Sequence, residues 1–430
     1  MNWIKQKGNS MSQKSNLNKS EIAPGEFIKV EGKQLKLNDQ PYIFMGTNMW
    51  YAANLAAEGF RDRLIKELDQ LNKLGIKNLR ILGASEGSGS FRINKSFQPE
   101  VGVYDDDLLK ALDYVLAELR KRGMYAVIYL NNFWEWSGGM AQYVSWSTGK
   151  SFPKPILDEK DRPAFMEYSA RFYSIPSAMQ AFRDYTGMLI KRTNSITGVP
   201  YRDDPTIMSW QLANEPRPGR PEEVQSNKTS YLNWIKETAN FIKELDSDHL
   251  VSTGSEGLVG SGLSEEIFLS AHEIAEIDYL TFHLWAYNWG WFDPKDEEKT
   301  FPVAITNAKD YIEEHYELAN TLNKPLTLEE FGFLRDLKSY DPESSTKWRD
   351  KYYSQILSIV YDNALKNGPI SGTNFWAWGG LGSPSKPDYL WEPGVEYIGD
   401  PPHEPQGFYS VFSSDDSTLA VLEKYAKMCI

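Results

Sequence analysis

Cysteine is almost absent: Cys429 is the one example in 430 residues. No disulfide can form within the chain, and a lone thiol beside the last residue reads as incidental. Histidine is scarce too, with five scattered residues and none of the spacings that build a metal site. Positive charge is in deficit, with 46 Lys and Arg against 59 Asp and Glu, a net charge of −13. No nucleic-acid partner is therefore expected, because phosphate binding needs clustered basic side chains. An anionic membrane is no better a partner, and no apolar run is long enough to span a bilayer. Linkers rich in Gly, Ser or Pro are missing, as are short repeats. The first strand is followed by GTNMWYAAN, without the Gly-rich phosphate turn of a doubly wound sheet.

Residues 1–20 are polar and rich in Asn, Ser and Lys, and are expected to be a disordered leader. They lack the apolar segment of a signal peptide. An extracellular or periplasmic protein is expected, its export signal already removed, with the cytoplasm as the alternative. Residues 21–430 are expected to form one catalytic domain acting as a monomer.

What the chain does have is aromatic side chains, 13% of the total with 14 Trp. Some are core; a surplus near loops suits stacking against the apolar face of a sugar ring. After an alternating segment at 27–46 that reads as a hairpin, strands and helices take turns. Strands are expected at 41–48, 77–83, 125–131, 206–213, 250–254, 278–284, 325–330 and 370–376. Helices are expected at about 61–74, 105–122, 163–192, 229–245, 264–275, 303–322, 346–366 and 416–428. The 3.6-residue period is visible in Leu64, Leu68, Leu71 and Leu74. Eight strands, each followed by a helix, predict an α/β fold: a (β/α)8 TIM barrel, with the N-terminal β-hairpin plugging one end. Extended loops at 139–162 and 379–411 are long enough to be functional.

In such a barrel active residues gather at the C-terminal ends of the strands. Read in order, those ends give Arg80, Asn131 and Asn132, Asn214 and Glu215, His283 and Trp285, Glu330, and Trp376. The set holds two carboxylates, amide groups and aromatics. It has no Ser–His pair, metal cluster or phosphate cradle. Two carboxylates are what glycoside hydrolysis needs, one protonated to release the leaving oxygen and one ionised to attack the anomeric carbon, about 5–5.5 Å apart in a retaining enzyme. Strands four and seven face each other across the mouth, so Glu215 and Glu330 can meet there.

Several segments resemble glycoside hydrolase family 5, mannanase branch. IMSWQLANEPR (207–217) and LTLEEFGF (326–333) resemble its acid/base and nucleophile strands. NNFWEWSGGMAQYVSW (131–146), FIKVEGKQLKLNDQPYIFMGTNMWY (27–51) and DPPHEPQGFYSVF (400–412) resemble further segments in the same order. The resemblance implies Glu215 as acid/base, Glu330 as nucleophile, and Arg80 as the cation that orients the nucleophile. It implies that Asn214 binds the sugar 2-hydroxyl, that Arg217 contacts the leaving side, and that His283 lies near the catalytic pair. Trp376 becomes the platform under the sugar, and Asn132 and Trp134 join the binding set. Glu329 is expected to point away from Glu330, since neighbouring strand residues face opposite sides. The family pattern is His-x-Tyr after strand six; here it is His283-Leu284-Trp285, so Trp285 is assigned to binding alone.

The implied activity is a retaining β-1,4-mannan hydrolase acting on mannan, glucomannan or galactomannan polysaccharide or manno-oligosaccharide, with no cofactor and no metal. Internal cleavage is the first expectation. Release of end units is the alternative, should the long loops wall off one end of the groove. A cellulase or β-glucanase is the competing enzyme, and a non-catalytic carbohydrate-binding barrel the competing class. Plainer roles weigh against each residue: Arg80 as a structural ion pair, His283 as a core histidine, Trp134, Trp136, Trp289, Trp291 and Trp391 as packing. Asp105-Asp106-Asp107 reads as a solvated helix start.

Overall fold

A computed structural model describes residues 26–151, 153 and 159–429. The expected leader, 1–20, lies outside the described residues. The eight strands are β1 Phe44–Asn48, β2 Asn78–Leu82, β3 Tyr125–Tyr129, β4 Ile207–Gln211, β5 Leu250–Ser252, β6 Leu280–Leu284, β7 Leu326–Phe331 and β8 Ile370–Phe375. They pair in parallel in the order β5-β4-β3-β2-β1-β8-β7-β6. A bridge between Ser252 and Tyr279 and a 2.8 Å hydrogen bond from the Asp278 amide to the Val251 carbonyl join the two edges. Every one of these strand residues is buried, on the barrel side and on the helix side alike, which is why the strands read as apolar runs without strict alternation.

Helices cover the outside. They are α1 Arg61–Leu74, α2 Asp106–Lys121, α3 Pro176–Ile190, α4 Val224–Leu245, α5 Glu265–His272, α6 Glu297–Leu322, α7 Lys347–Leu365 and α8 Asp416–Ala426. In α1, Leu64, Leu68 and Leu71 form the buried stripe. The Asp105 carboxylate caps α2 by accepting from the Leu108 amide at 2.8 Å, with Asp106 and Asp107 in the first turn, as the acidic cluster predicts. The helix expected over 163–192 is two helices instead. Ile175 takes an extended conformation (φ −116°, ψ 101°) before Pro176, which starts α3, while a separate helix spans Arg162–Ala170. Proline bars the preceding residue from helical backbone, and the apolar period alone hides the break. The segment 139–162 is likewise no plain loop, since Gly139–Thr148 is helical.

The hairpin, Lys29–Glu31 with Gln34–Leu37, closes the N-terminal end. Its Ile28 and Leu35 pack with Tyr42, Phe44, Tyr125, Val127, Met208, Leu250 and Tyr279 in a cluster distinct from the main core. The C-terminal segment folds over the opposite end. There Trp378–Gly380 pairs with Val411–Phe412, and Asp400 accepts hydrogen bonds from the Gly407 amide (2.7 Å), the Tyr409 amide (2.6 Å) and the Ser410 hydroxyl (2.5 Å). Trp391 donates its indole N–H to the Arg92 carbonyl at 3.1 Å, a packing role. Among the described residues no helix is long and apolar enough to cross a membrane.

Candidate active site

The mouth of the barrel holds a cavity lined by Trp134, Asn214, Glu215, Arg217, Trp285, Glu330 and Trp376 among others. Glu215, just past the end of β4, and Glu330, within β7, meet here. One oxygen of each carboxyl and one ring nitrogen of His283 lie within 4.8 Å of one another. His283 Nδ1 is 2.7 Å from Glu215 Oε1 and 3.2 Å from Glu330 Oε2, so one imidazole bridges both acids.

Local backbone geometry aims Glu215. It has φ +50°, a left-handed conformation unusual for a glutamate, and its amide donates to the Gly254 carbonyl at 2.9 Å. Gly254 must be glycine, since a Cβ there would stand 1.8 Å from the Ala213 carbonyl oxygen. Gly332, after the nucleophile strand, likewise leaves no room for a Cβ, which would meet the Trp376 carbonyl at 2.9 Å and the Trp285 ring at 3.1 Å. The two indoles cross edge to face at 6.0 Å, and the Trp376–Ala377 peptide is cis.

Arg80 lies fully buried under the acids. Its guanidinium donates to Glu330 Oε1, to Asn48 Oδ1 at 3.0 Å, to Asn214 Oδ1 at 2.8 Å and, from Nε, to Gln211 Oε1 at 2.8 Å. The Asn214 amide donates in turn to Asn132 Oδ1 at 3.1 Å. Six residues predicted from five strand ends, Arg80, Asn132, Asn214, Glu215, His283 and Glu330, thus form one hydrogen-bonded network.

Burial alone would push the Glu215 carboxyl up. The His283 hydrogen bond and charge, the Arg217 charge and a 2.5 Å hydrogen bond from the Trp134 indole outweigh burial and hold it down at about 2. Burial works against a charged His283, but Glu330 and Glu215 together raise it to about 9. Both shifts favour an imidazolium paired with carboxylates.

Two expectations need revision. Glu329 does not face away from the site. The register between β6 and β7 shifts between Leu328 and Glu330, and this bulge turns Glu329 into the barrel, where its carboxylate accepts from Gln211 Nε2 at 2.5 Å and lies 3.8 Å from Arg80 Nε. Strict alternation holds only for a regular ladder. Trp285 does more than line the wall: its N–H points at Glu215 Oε1 at 3.4 Å, not at Glu330. Arg217 is held by the Glu256 carboxylate and lies 5.1 Å from the centre of the Trp134 ring, so its placement depends on a strand-five acid that the sequence reading missed.

Other lining residues were also missed: Trp136 had only an undecided packing or platform role, and Asn288, His403 and Glu404 had none. His403 and Glu404 sit in the segment anchored by Asp400. Among the described residues His403 Nδ1 and Glu404 Oε2 have no hydrogen-bond partner, although both atoms are shielded from solvent. Burial, Asp400 and Glu330 push the Glu404 carboxyl well up. The signal was present in the sequence as a His and a Glu within a Pro-rich loop, but nothing local says where such a loop lands.

A closed parallel barrel with two carboxyls converging across its mouth defines the machinery of a glycoside hydrolase. The chain belongs to glycoside hydrolase family 5: the family model described as GH family 5 beta-mannosidase-like matches residues 25–430. The crystal structure of a family 5 mannosidase from Rhizomucor miehei is similar over 94% of this chain and 97% of that one, at 37% identity and a TM-score of 0.85. An endo-β-1,4-mannanase from Thermotoga petrophila matches over 91% of this chain and 77% of that one, at 26% identity and a TM-score of 0.64. Mannan endo-1,4-beta-mannosidase 1 of Solanum lycopersicum is 31% identical over 363 residues, 81% of this chain and 83% of the plant protein.

Proposed function

We propose that the protein is a retaining β-1,4-mannan hydrolase, an endo-β-1,4-mannanase that cleaves mannan, glucomannan or galactomannan by double displacement. The approach of Glu215 and Glu330 to within 4.8 Å carries this reading, because it matches the roughly 5–5.5 Å of retaining enzymes and leaves too little room for the water of an inverting one. The mannan-acting relatives support the substrate.

Glu330 attacks the anomeric carbon while its charge is held by Arg80. Glu215 protonates the departing oxygen, drawing on the proton that His283 Nδ1 holds 2.7 Å away. Ester formation removes the Glu330 charge, the principal support of the imidazolium. Glu215, now ionised, takes a proton from water, which attacks the same carbon and releases the sugar with its configuration retained. Asn214, lying between Arg80 and Asn132, serves the sugar 2-hydroxyl. Trp376 forms the platform under the sugar, Trp134 and Trp285 tune Glu215, and Arg217 meets the leaving side. Residues 21–430 act as one catalytic unit and as a monomer, outside the cytoplasm where the polymer is found.

A second reading, release of end units, is favoured by one observation. The Asp400-anchored segment brings His403 and Glu404, with unpaired polar atoms, to the cavity wall, where they can bind a chain-end hydroxyl and stop the polymer. Mannohexaose separates the two readings. Internal cleavage gives mixed short oligomers, and end release gives mannose or mannobiose alone from the start.

The mechanism is tested with azide and an activated aryl β-mannoside. Glu330→Ala should yield the glycosyl azide of inverted configuration, and Glu215→Ala the azide of retained configuration. The opposite pairing, or azide products from neither variant, would refute the assignment. Greater activity on carboxymethylcellulose than on mannan would move the substrate to β-glucan.

A further inference from the structure

The bulge in β7 puts a third carboxylate beside the pair, and the double-displacement mechanism has no use for it. Glu329 is fully buried, beside Glu330 in the strand. Its oxygens face donors: Gln211 Nε2 at 2.5 Å and the Tyr279 hydroxyl at 3.3 Å. Gln211 is itself the acceptor for Arg80 Nε, so the chain Glu329–Gln211–Arg80–Glu330 is continuous. The backbone is tied into the same network. Asn48 donates to the Glu329 carbonyl at 2.8 Å and accepts from Arg80 at 3.0 Å, which fixes the bulge relative to the guanidinium.

We propose that Glu329 is a positioning residue for the nucleophile: it draws on the Arg80 cation, directly and through Gln211, and so limits how firmly that cation holds Glu330. One guanidinium between two carboxylates cannot neutralise both. The share that Glu329 takes leaves more of the Glu330 charge uncompensated, and Glu330 hence a stronger nucleophile, than Arg80 alone would allow. The charged and titratable groups around Glu329 are Arg80 from β2, Glu330 from its own strand, His283 from β6, and Tyr279 before β6. Tyr129 of β3 lies under Arg80 with its ring centre 4.7 Å from the guanidinium. Burial raises the Glu329 carboxyl, and Arg80, His283 and Gln211 pull it back, so its charge depends on this same network.

The inference rests on Glu330 as nucleophile, and its test separates the two. The acidic limb of kcat/KM reports ionisation of the nucleophile in the free enzyme. Glu329→Gln keeps the shape and an acceptor for Gln211 but removes the charge. Arg80 then belongs to Glu330 alone. The acidic limb should move down by about one pH unit and kcat should fall by about tenfold, with KM little changed. Gln211→Met should do the reverse. Arg80 Nε loses its acceptor and turns to Glu329, so the limb should move up. That variant also serves if Glu329→Gln does not fold. A limb that stays in place in whichever variants fold, even with a lower Tm, would overturn the inference and leave Glu329 a structural residue. Labelling of the wild type by a 2-deoxy-2-fluoro-β-mannosyl fluoride is the control. Attachment anywhere but Glu330 would overturn the nucleophile assignment, and the inference with it.

Discussion

The two ends of the barrel are built from the same eight strands and could hardly differ more. The hairpin end is filled by Ile28, Leu35, Phe44, Val127, Met208 and Leu250, apolar groups under a lid of backbone. The open end buries Arg80, Glu329, Glu330, His283 and Glu215 within one network. Buried charges gain little net stability even when paired, whereas each large apolar side chain at the floor contributes on the order of 2 kcal/mol. Tyr279 belongs to both ends: its ring packs in the floor cluster and its hydroxyl donates to Glu329. The fold is thus held from below so that charge can be confined above.

That contrast can be broken from either side. The largest expected effect is at the mouth: Glu330→Ala and Glu215→Ala should each lower kcat with mannan by roughly 10²–10⁴-fold or more, with a melting temperature no lower than that of the wild type. A large loss of stability in both would mean that the acids also hold the fold. Next is the floor. Leu35→Ala should cost about 2–5 kcal/mol in denaturant unfolding and leave kcat/KM of the folded protein unchanged; a change in kcat/KM would mean that the two ends are coupled.

A smaller effect concerns two histidines that the chemistry does not use. Burial holds His272 down at about 3 and His315 at about 4, against 6.5 for an exposed imidazole. Between those values the unfolded chain binds protons that the folded one refuses. The contribution of these two side chains to stability should therefore fall as pH drops from 6.5 towards 4, by about 1.4 kcal/mol per pH unit for each histidine. His283 is raised and charged in both states over that window, so it does not offset the loss. Urea melts between pH 6.5 and 4.5 should show a slope smaller in His315→Gln than in the wild type by about 1.4 kcal/mol per pH unit, and an unchanged slope would remove this account. The smallest effect is at Trp134, whose indole N–H stabilises the ionised form of Glu215. Trp134→Phe should shift the proton shared with His283 towards the Glu215 carboxyl, and the alkaline limb of kcat/KM, which reports loss of that proton from the pair, should move up by less than about one unit. A shift downward would assign the indole a different partner during turnover.

Much of this was legible in the residues themselves. Apolar runs separated by amphipathic stripes specify the barrel, and the polar residues in or just after each run, read with the family resemblance, are how Arg80, Asn214 and Glu215 could be named together. Less legible was anything depending on departures from a regular period. The break before Pro176 was written in the sequence but overshadowed by the apolar pattern around it. The inward turn of Glu329 had no sequence mark, because a bulge depends on how two strands pair and not on one strand alone. Likewise Trp285 has the same N–H wherever it points; contact with Tyr409 at a ring distance of 5.1 Å and the close approach allowed by Gly332 set its direction.

By itself the sequence determined the chemistry on offer: two acids, one cation and an imidazole, each in or just after a strand, in a chain with almost no thiol and little positive charge. Tertiary structure alone decided which oxygen faces which donor, that Arg80 is shared by two neighbouring glutamates, and that a remote loop carries His403 and Glu404 to the cavity wall. The physical reason is range. Strand and helix signals arise between residues a few positions apart, while proton sharing and charge sharing depend on distances of a few ångströms between groups as many as 250 residues apart in the chain, as Arg80 and Glu330 are.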